Sequence, residues 1–239
     1  MSSSISQAVR ELAEPKLAEF TAKLIPTVDP ERILAVRMPA LRKLAKKLLR
    51  EHPQEVAEFK TTVPHDFQEE DLLHVLLLNE ERDFAAWHAE ITNFLHYMTN
   101  WILTDAVAPA CVKGSRAANL PKLERSCLNW MLDDRVYVQR LGVVVLMSLL
   151  STESFSPEHL RAVAALAGSD EYYVRVAAAW YFAEALARQE RAALPWFALA
   201  NSSRSTVAKI NSNTGIVGKD YSSFSYPWRY PHGHSPATF

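Results

Sequence analysis

The sequence predicts an all-α protein. Over the first 200 of its 239 residues, apolar positions recur at helical spacing and are broken by proline or short polar turns. Prolines stand where a first helical turn tolerates a missing N–H. Glycine is scarce, with six in all and the first at position 114, which argues against a Rossmann fingerprint, a P-loop or a turn-rich sheet fold. In chain order, helical stripes cover 17–24 after Pro15, 38–49 with Pro39 at its opening, 72–78, and 84–98. Two more follow, 120–131 with Pro121 in the first turn and 160–166 after Pro157.

An internal comparison refines the class. DDRVYVQRLGVVVLMSLL (133–150) and SDEYYVRVAAAWYFAEAL (169–186) align with Asp134 on Asp170, Tyr137 on Tyr173 and Val138 on Val174, each pair 36 positions apart. Each segment reads as a helix start at the Asp, an aromatic and a Val in the first turn, then a small-and-apolar helix. That grammar belongs to HEAT-type repeats, although their usual period is longer, ~40–47 residues. The expected architecture is a HEAT-like repeat α-solenoid, an αα-superhelix with a concave basic surface. From 201 to 239 the chain becomes Ser-rich and holds Gly215, Gly218 and Gly233, with neither helical period nor sustained strand alternation. The expected division is therefore a helical domain over 1–200 and an irregular tail over 201–239, whose Tyr221, Phe224, Tyr226, Trp228 and Tyr230 can fold back onto the last helices.

Composition limits the function. The net charge is −1 and 49% of residues are hydrophobic, so the chain is globular without an overall basic field, and nucleic-acid binding would require a local patch. The longest apolar run, 141–147, is too short for a membrane helix, and the opening MSSSISQAVRELAEPK carries no apolar signal segment. A cytoplasmic protein is expected. Cys111 and Cys127 are the only cysteines, too few for a disulfide framework and outside C-x-x-C spacing, so a thiolate metal site is not expected. His74, His88 and His96 lack H-E-x-x-H spacing, and His232 and His234 in the tail lack a nearby acid or Cys. Glu69, Glu70 and Asp71 read as a helix N-terminus favoured by the dipole.

One set of residues suggests chemistry. In NWILTD, Trp101 and Asp105 are four apart, which places an indole and a carboxylate one turn from each other on one helix face. Arg140 lies 35 residues beyond Asp105 and Trp180 lies 40 beyond Arg140, each about one repeat, so the four can line a common cleft. A carboxylate between aromatic walls beside a cation suits a positively charged ligand whose charge spreads as a bond breaks. The same residues read equally as core-filling indoles, a solvated carboxylate and a surface ion pair.

The ordered segments VRMPALRKLAKKL, LLLNEERDFAAW, NWILTD, YVQRLGVVVLM and DEYYVRVAAAWYFAEALA resemble the AlkD-like DNA alkylation repair enzymes, HEAT-like repeat DNA glycosylases, over about 17–197. The resemblance implies that Asp105 is the catalytic carboxylate, Trp101 and Trp180 the aromatic walls, and Arg140 a contact to the DNA backbone at the lesion. It implies excision of cationic N3- and N7-alkylated purines from double-stranded DNA by a monomer, without base flipping, cofactor or metal. Such a base is already a good leaving group, so stabilising an oxocarbenium-like sugar and placing a water suffices. Cations for phosphate contact are Arg37, Arg42, Lys43, Lys46, Lys47 and Arg50 on or before one early helix, Lys113, Arg116, Lys122 and Arg125 around a loop, and Arg175.

The chain also departs from the family. Members continue after the Trp helix into a basic repeat with NKAIQK-like and ESYR-like segments, where this chain reads SSRSTVAKINSNTGIVGKDYSSFSYPWRYPHGHS and only Lys209 echoes them. That end resembles a frameshifted or replaced segment, and the N-terminal region lacks the basic-aromatic segment of some members. The alternative function is a non-catalytic HEAT-like module binding DNA or protein. An exposed Asp105 in a basic concavity would favour the enzyme, and an Asp105 buried in a salt bridge would favour the module.

Overall fold

A computed structural model describes residues 4–202, with side-chain surroundings given to residue 196. Lys209, the tail aromatics, His232 and His234 lie outside the described residues. Within them the chain is all-helical, with no strand. The first half runs α1 (Ser4–Arg10), α2 (Pro15–Leu24), α3 (Met38–Glu51), α4 (Pro53–Thr61), α5 (Gln68–Leu78) and α6 (Phe84–Phe94). The second runs α7 (Trp101–Asp105), α8 (Leu120–Trp130), α9 (Val136–Leu146), α10 (Pro157–Leu166), α11 (Tyr172–Arg188) and α12 (Glu190–Ser202). Proline occupies the first turn of α2, α3, α4, α8 and α10, where its fixed φ suits the helix and no N–H is missed. Pro195 is an exception to this punctuation, because it lies inside α12. The stripe at 84–98 is also not one helix: α6 ends at Phe94 and a 3-10 turn, Leu95–Tyr97, follows.

The two matched segments both form helices, with a shifted start. Asp134 and Asp170 do not cap α9 and α11, which begin two residues later with Arg135 and Glu171 at the cap positions. What recurs is a turn just before each helix. Asp133 Oδ1 accepts the Arg135 N–H at 2.9 Å, and Ser169 Oγ accepts the Glu171 N–H at 3.1 Å. A short polar side chain bonding the backbone two residues on is a turn device rather than a helix cap.

Helices pack against those next to them and one further along the chain: α3 against α4 and α5, α7 and α8 against α9, and α9 against α11, which meets α10 and α12. The main core runs through these contacts, with Leu73, Trp87, Phe94, Leu103, Leu123, Leu141, Val163 and Tyr181 buried. α9 approaches α8 closely at Gly142, where an added Cβ would lie 2.6 Å from the Cys127 carbonyl oxygen and 2.7 Å from Met131 Cγ. A side-chain tip can move aside, whereas the α8 backbone cannot do so cheaply. Gly142→Ala is expected to lower unfolding free energy by about 2 kcal/mol, read as a reduced midpoint in urea at unchanged slope.

A second, smaller core lies beside the main one. Ile25, Val28, Ile33 and Ala35 are buried together, and Leu17, Ala18, Ala22, Trp101 and Ile102 pack against them. Ala35 has φ +57°, a left-handed conformation that costs a Cβ-bearing residue about 1–2 kcal/mol. The acids at the start of α5 face this region. Glu69, Glu70 and Asp71 do occupy a first helical turn, but they are buried rather than solvated. Glu69 accepts the N–H groups of Leu34 (2.9 Å) and Ala35 (2.7 Å), and Glu70 those of Asp66 and Phe67 (both 3.1 Å). Asp71 accepts from Arg32 Nη2 at 3.1 Å. Burial nevertheless pushes the Asp71 carboxyl up to about 7, with the Arg32 charge only partly opposing it. Nearby, His65 Nε2 and His74 Nδ1 lie 2.9 Å apart, and burial holds their rings down to about 4 and about 3. Both rings are therefore neutral at pH 7, which lets them share one hydrogen bond inside the core.

Candidate functional site

The site starts from a five-residue helix that cannot hold itself. Below ~12 residues a helix is marginal unless its ends are fixed. Asn100 fixes the start of α7, because its Oδ1 accepts the N–H groups of Ile102 (3.0 Å) and Leu103 (3.3 Å). Asn100 is fully buried, and its Nδ2 donates to Gln68 Oε1 on α5 at 2.8 Å. Trp101 follows, half-buried on the smaller core, with its indole N–H donating to the Leu24 carbonyl at 2.8 Å. One turn later stands Asp105, whose Oδ1 accepts from the Thr104 hydroxyl at 3.0 Å.

Arg140 on α9 meets that carboxylate with both ends of its fork. Nε donates to Asp105 Oδ1 at 2.9 Å and Nη2 to Oδ2 at 2.7 Å, while Nη1 donates to the Tyr173 carbonyl at 2.9 Å. This is a bidentate, charge-assisted pair, the geometry that most restricts a carboxylate. The guanidinium carbon lies 5.0 Å from the centre of the Trp180 ring on α11, within cation–π range. Asp105, Arg140 and Trp180 thus form one contact chain across α7, α9 and α11, and Trp101 stands four residues before Asp105 on the same short helix.

Arg140 is enclosed in this arrangement. Its side chain is 1% exposed and that of Asp105 is 17% exposed. With its guanidinium enclosed between carboxylate, carbonyl and indole, Arg140 does not reach a phosphate in this conformation. In this conformation it holds Asp105, and at 1% exposure it is not a surface ion pair.

The next level of the same face is aromatic. Tyr137 lies three residues before Arg140 and Tyr173 seven before Trp180, and their ring centres are 5.4 Å apart. The Tyr137 hydroxyl lies 3.4 Å from that of Thr27, which donates to the Thr99 carbonyl at 2.9 Å. The sequence comparison aligned the two tyrosines but gave no hint of Thr27, Thr104, Asn100 or Gln68. A legible signal existed for Asn100, an N-cap residue type directly before an apolar helical run.

The expected phosphate-contacting cations are distributed unevenly. Lys43, Lys46 and Lys47 are exposed on α3, away from its buried Leu41, Ala45 and Leu48, and Lys47 lies 4.0 Å from Glu51. Arg42 is half-buried. The Lys113 ammonium donates to the Ala108 carbonyl at 3.0 Å and is held below its ordinary value chiefly by desolvation, with the Arg42 charge adding to the effect. Three others are engaged within the protein: Arg37 with Glu14 (2.7 Å), Arg116 Nε with the Ala110 carbonyl (2.8 Å), and Arg175 Nη1 with the Ser169 carbonyl (2.7 Å). Among the described residues, no group of three or more His, Cys, Asp or Glu is placed to hold a metal, and no helix is long and apolar enough to cross a membrane.

Neither a curated protein nor a solved structure matches the chain. The family model described as DNA alkylation repair enzyme matches residues 5–207, a stretch that includes every residue of the α7, α9 and α11 cluster. On that match the chain belongs to the DNA alkylation repair enzyme family.

Proposed function

We propose that the protein is an AlkD-like DNA-alkylpurine glycosylase, a monofunctional hydrolase of the N-glycosidic bond of cationic N3- and N7-alkylated purines in duplex DNA. The observation that carries this reading is the single contact chain of Asp105, Arg140 and Trp180, with Trp101 one turn away. A cationic purine leaves with the bonding electron pair and becomes neutral, so no general acid is required. Positive charge moves to the sugar, where the ionised Asp105 stabilises it and orients the water that adds to the anomeric carbon. The indoles of Trp101 and Trp180 hold the sugar and lesion by their faces, and the base need not enter a pocket. The helices over 1–200 stack as a HEAT-like solenoid, and Arg42, Lys43, Lys46, Lys47 and Lys113 supply phosphate contacts.

A second reading keeps the scaffold without turnover, as a HEAT-like module that binds DNA or protein. It is favoured by the bidentate pair, which occupies both Asp105 oxygens and leaves the side chain only 17% exposed. One experiment separates the two: incubating the chain with methylated duplex DNA and measuring free 7-methylguanine and 3-methyladenine. The enzyme reading expects release of both, together with DNA affinity that falls steeply between low and physiological salt. Binding without release selects the module. A flat salt response removes the phosphate-tracking surface.

A further inference from the structure

We propose that Glu69 is a positioning residue for the Trp101 wall, acting through residues 33–36 and the small core under the indole. This rests on the reading of Trp101 given above.

An acid in the first turn of a helix ordinarily faces solvent and the helix dipole. Glu69 is instead turned inward, 3% exposed, onto a neighbouring segment. Its Oε1 accepts the Ala35 N–H at 2.7 Å and its Oε2 the Leu34 N–H at 2.9 Å; burial raises its carboxyl above the ordinary value, and the Leu34, Ala35 and Val36 N–H groups partly oppose this. Successive N–H groups around a left-handed residue form an anion-binding concavity. Here the anion belongs to the protein. Ala35 has the only positive φ among the described non-glycine residues, and the carboxylate holds it there.

What this segment supports is specific. Ile33 and Ala35 flank Leu34 and pack with Ile25 and Val28, and Trp101 and Ile102 rest on that cluster. The indole N–H is bonded to the carbonyl of Leu24, the residue next to Ile25. Gln68, immediately before Glu69, holds Asn100, immediately before Trp101. Two consecutive residues of α5 therefore grip Trp101 from two sides, one through the helix cap behind it and one through the bed beneath it. An uncharged residue at 69 would satisfy fewer of these N–H groups and release the bed.

The test uses the full chain labelled with 5-fluorotryptophan, with the Trp101 fluorine resonance assigned from Trp101→Phe. In Glu69→Gln the Trp101 resonance is expected to shift, and kcat for excision to fall roughly tenfold with KM for methylated duplex little changed. Adding Ala35→Gly is expected to restore both, because glycine adopts positive φ without a clamp. If Glu69→Gln does not fold, Glu69→Asp takes its place with the same expectation, since it is too short to span all the N–H groups. An unmoved Trp101 resonance in a folded variant overturns the proposal, and so does failure of rescue. Loss of folding in both variants overturns it too, by marking Glu69 as part of the fold alone. If the unsubstituted chain releases no base, the glycosylase reading fails while the fluorine spectrum still decides the role of Glu69.

Discussion

Asp105→Asn is expected to reduce release of 7-methylguanine from methylated duplex by on the order of 10²–10³-fold, the usual cost of losing one preorganised charge-stabilising group. The substitution keeps an oxygen that can accept from Arg140 and keeps the shape of the side chain. It removes the negative charge that the developing sugar cation needs. The variant also leaves a guanidinium, 1% exposed, facing a neutral amide, so its melting temperature is expected to drop as well. Single-turnover excision measured well below that temperature separates the two effects. Unchanged excision by folded Asp105→Asn would remove Asp105 from the mechanism.

Arg140→Met is expected to lower unfolding free energy by about 3–5 kcal/mol, because breaking a buried ion pair strands the partner charge. Three contacts go at once: Asp105 loses its bidentate partner, the Tyr173 carbonyl loses the Nη1 donor, and Trp180 loses the cation over its ring. The double variant Asp105→Leu with Arg140→Met is expected to recover much of that loss, since replacing both partners by apolar groups removes the stranded charge. Urea unfolding of the four proteins completes the cycle and yields the coupling energy. Excision is expected to be absent from both variants. The salt slope of DNA binding is expected to be unaffected, because an enclosed guanidinium releases no counterion. A reduced slope in Arg140→Met would return Arg140 to the phosphate backbone.

The helical class was legible because it is written locally. Apolar spacing and first-turn prolines mark α2, α3, α8 and α10 without reference to any other segment. The 36-residue echo was legible for the same reason, but its start was misplaced. Asp133, Asp134, Ser169 and Asp170 are all competent caps, and only the backbone decides which of them closes a turn. The candidate residues could be grouped from their spacing, and Asp105, Arg140 and Trp180 are in contact. Their orientation was not legible. Nothing local tells whether Arg140 points to solvent or to a carboxylate 35 positions earlier, and here it meets the carboxylate. Burial of Glu69 and Asp71 was hidden likewise, because the groups that donate to these acids, Leu34, Ala35 and Arg32, lie more than 30 residues upstream.

The two thiols have a consequence for a chain of this family. Electrophiles that methylate purines also attack sulfur, and it is the thiolate that reacts. Cys111 and Cys127 are both wholly enclosed, and burial raises both, Cys111 to about 11 and Cys127 further. Both sulfurs are enclosed and held toward the thiol form, so alkylating electrophiles are expected to react slowly with either.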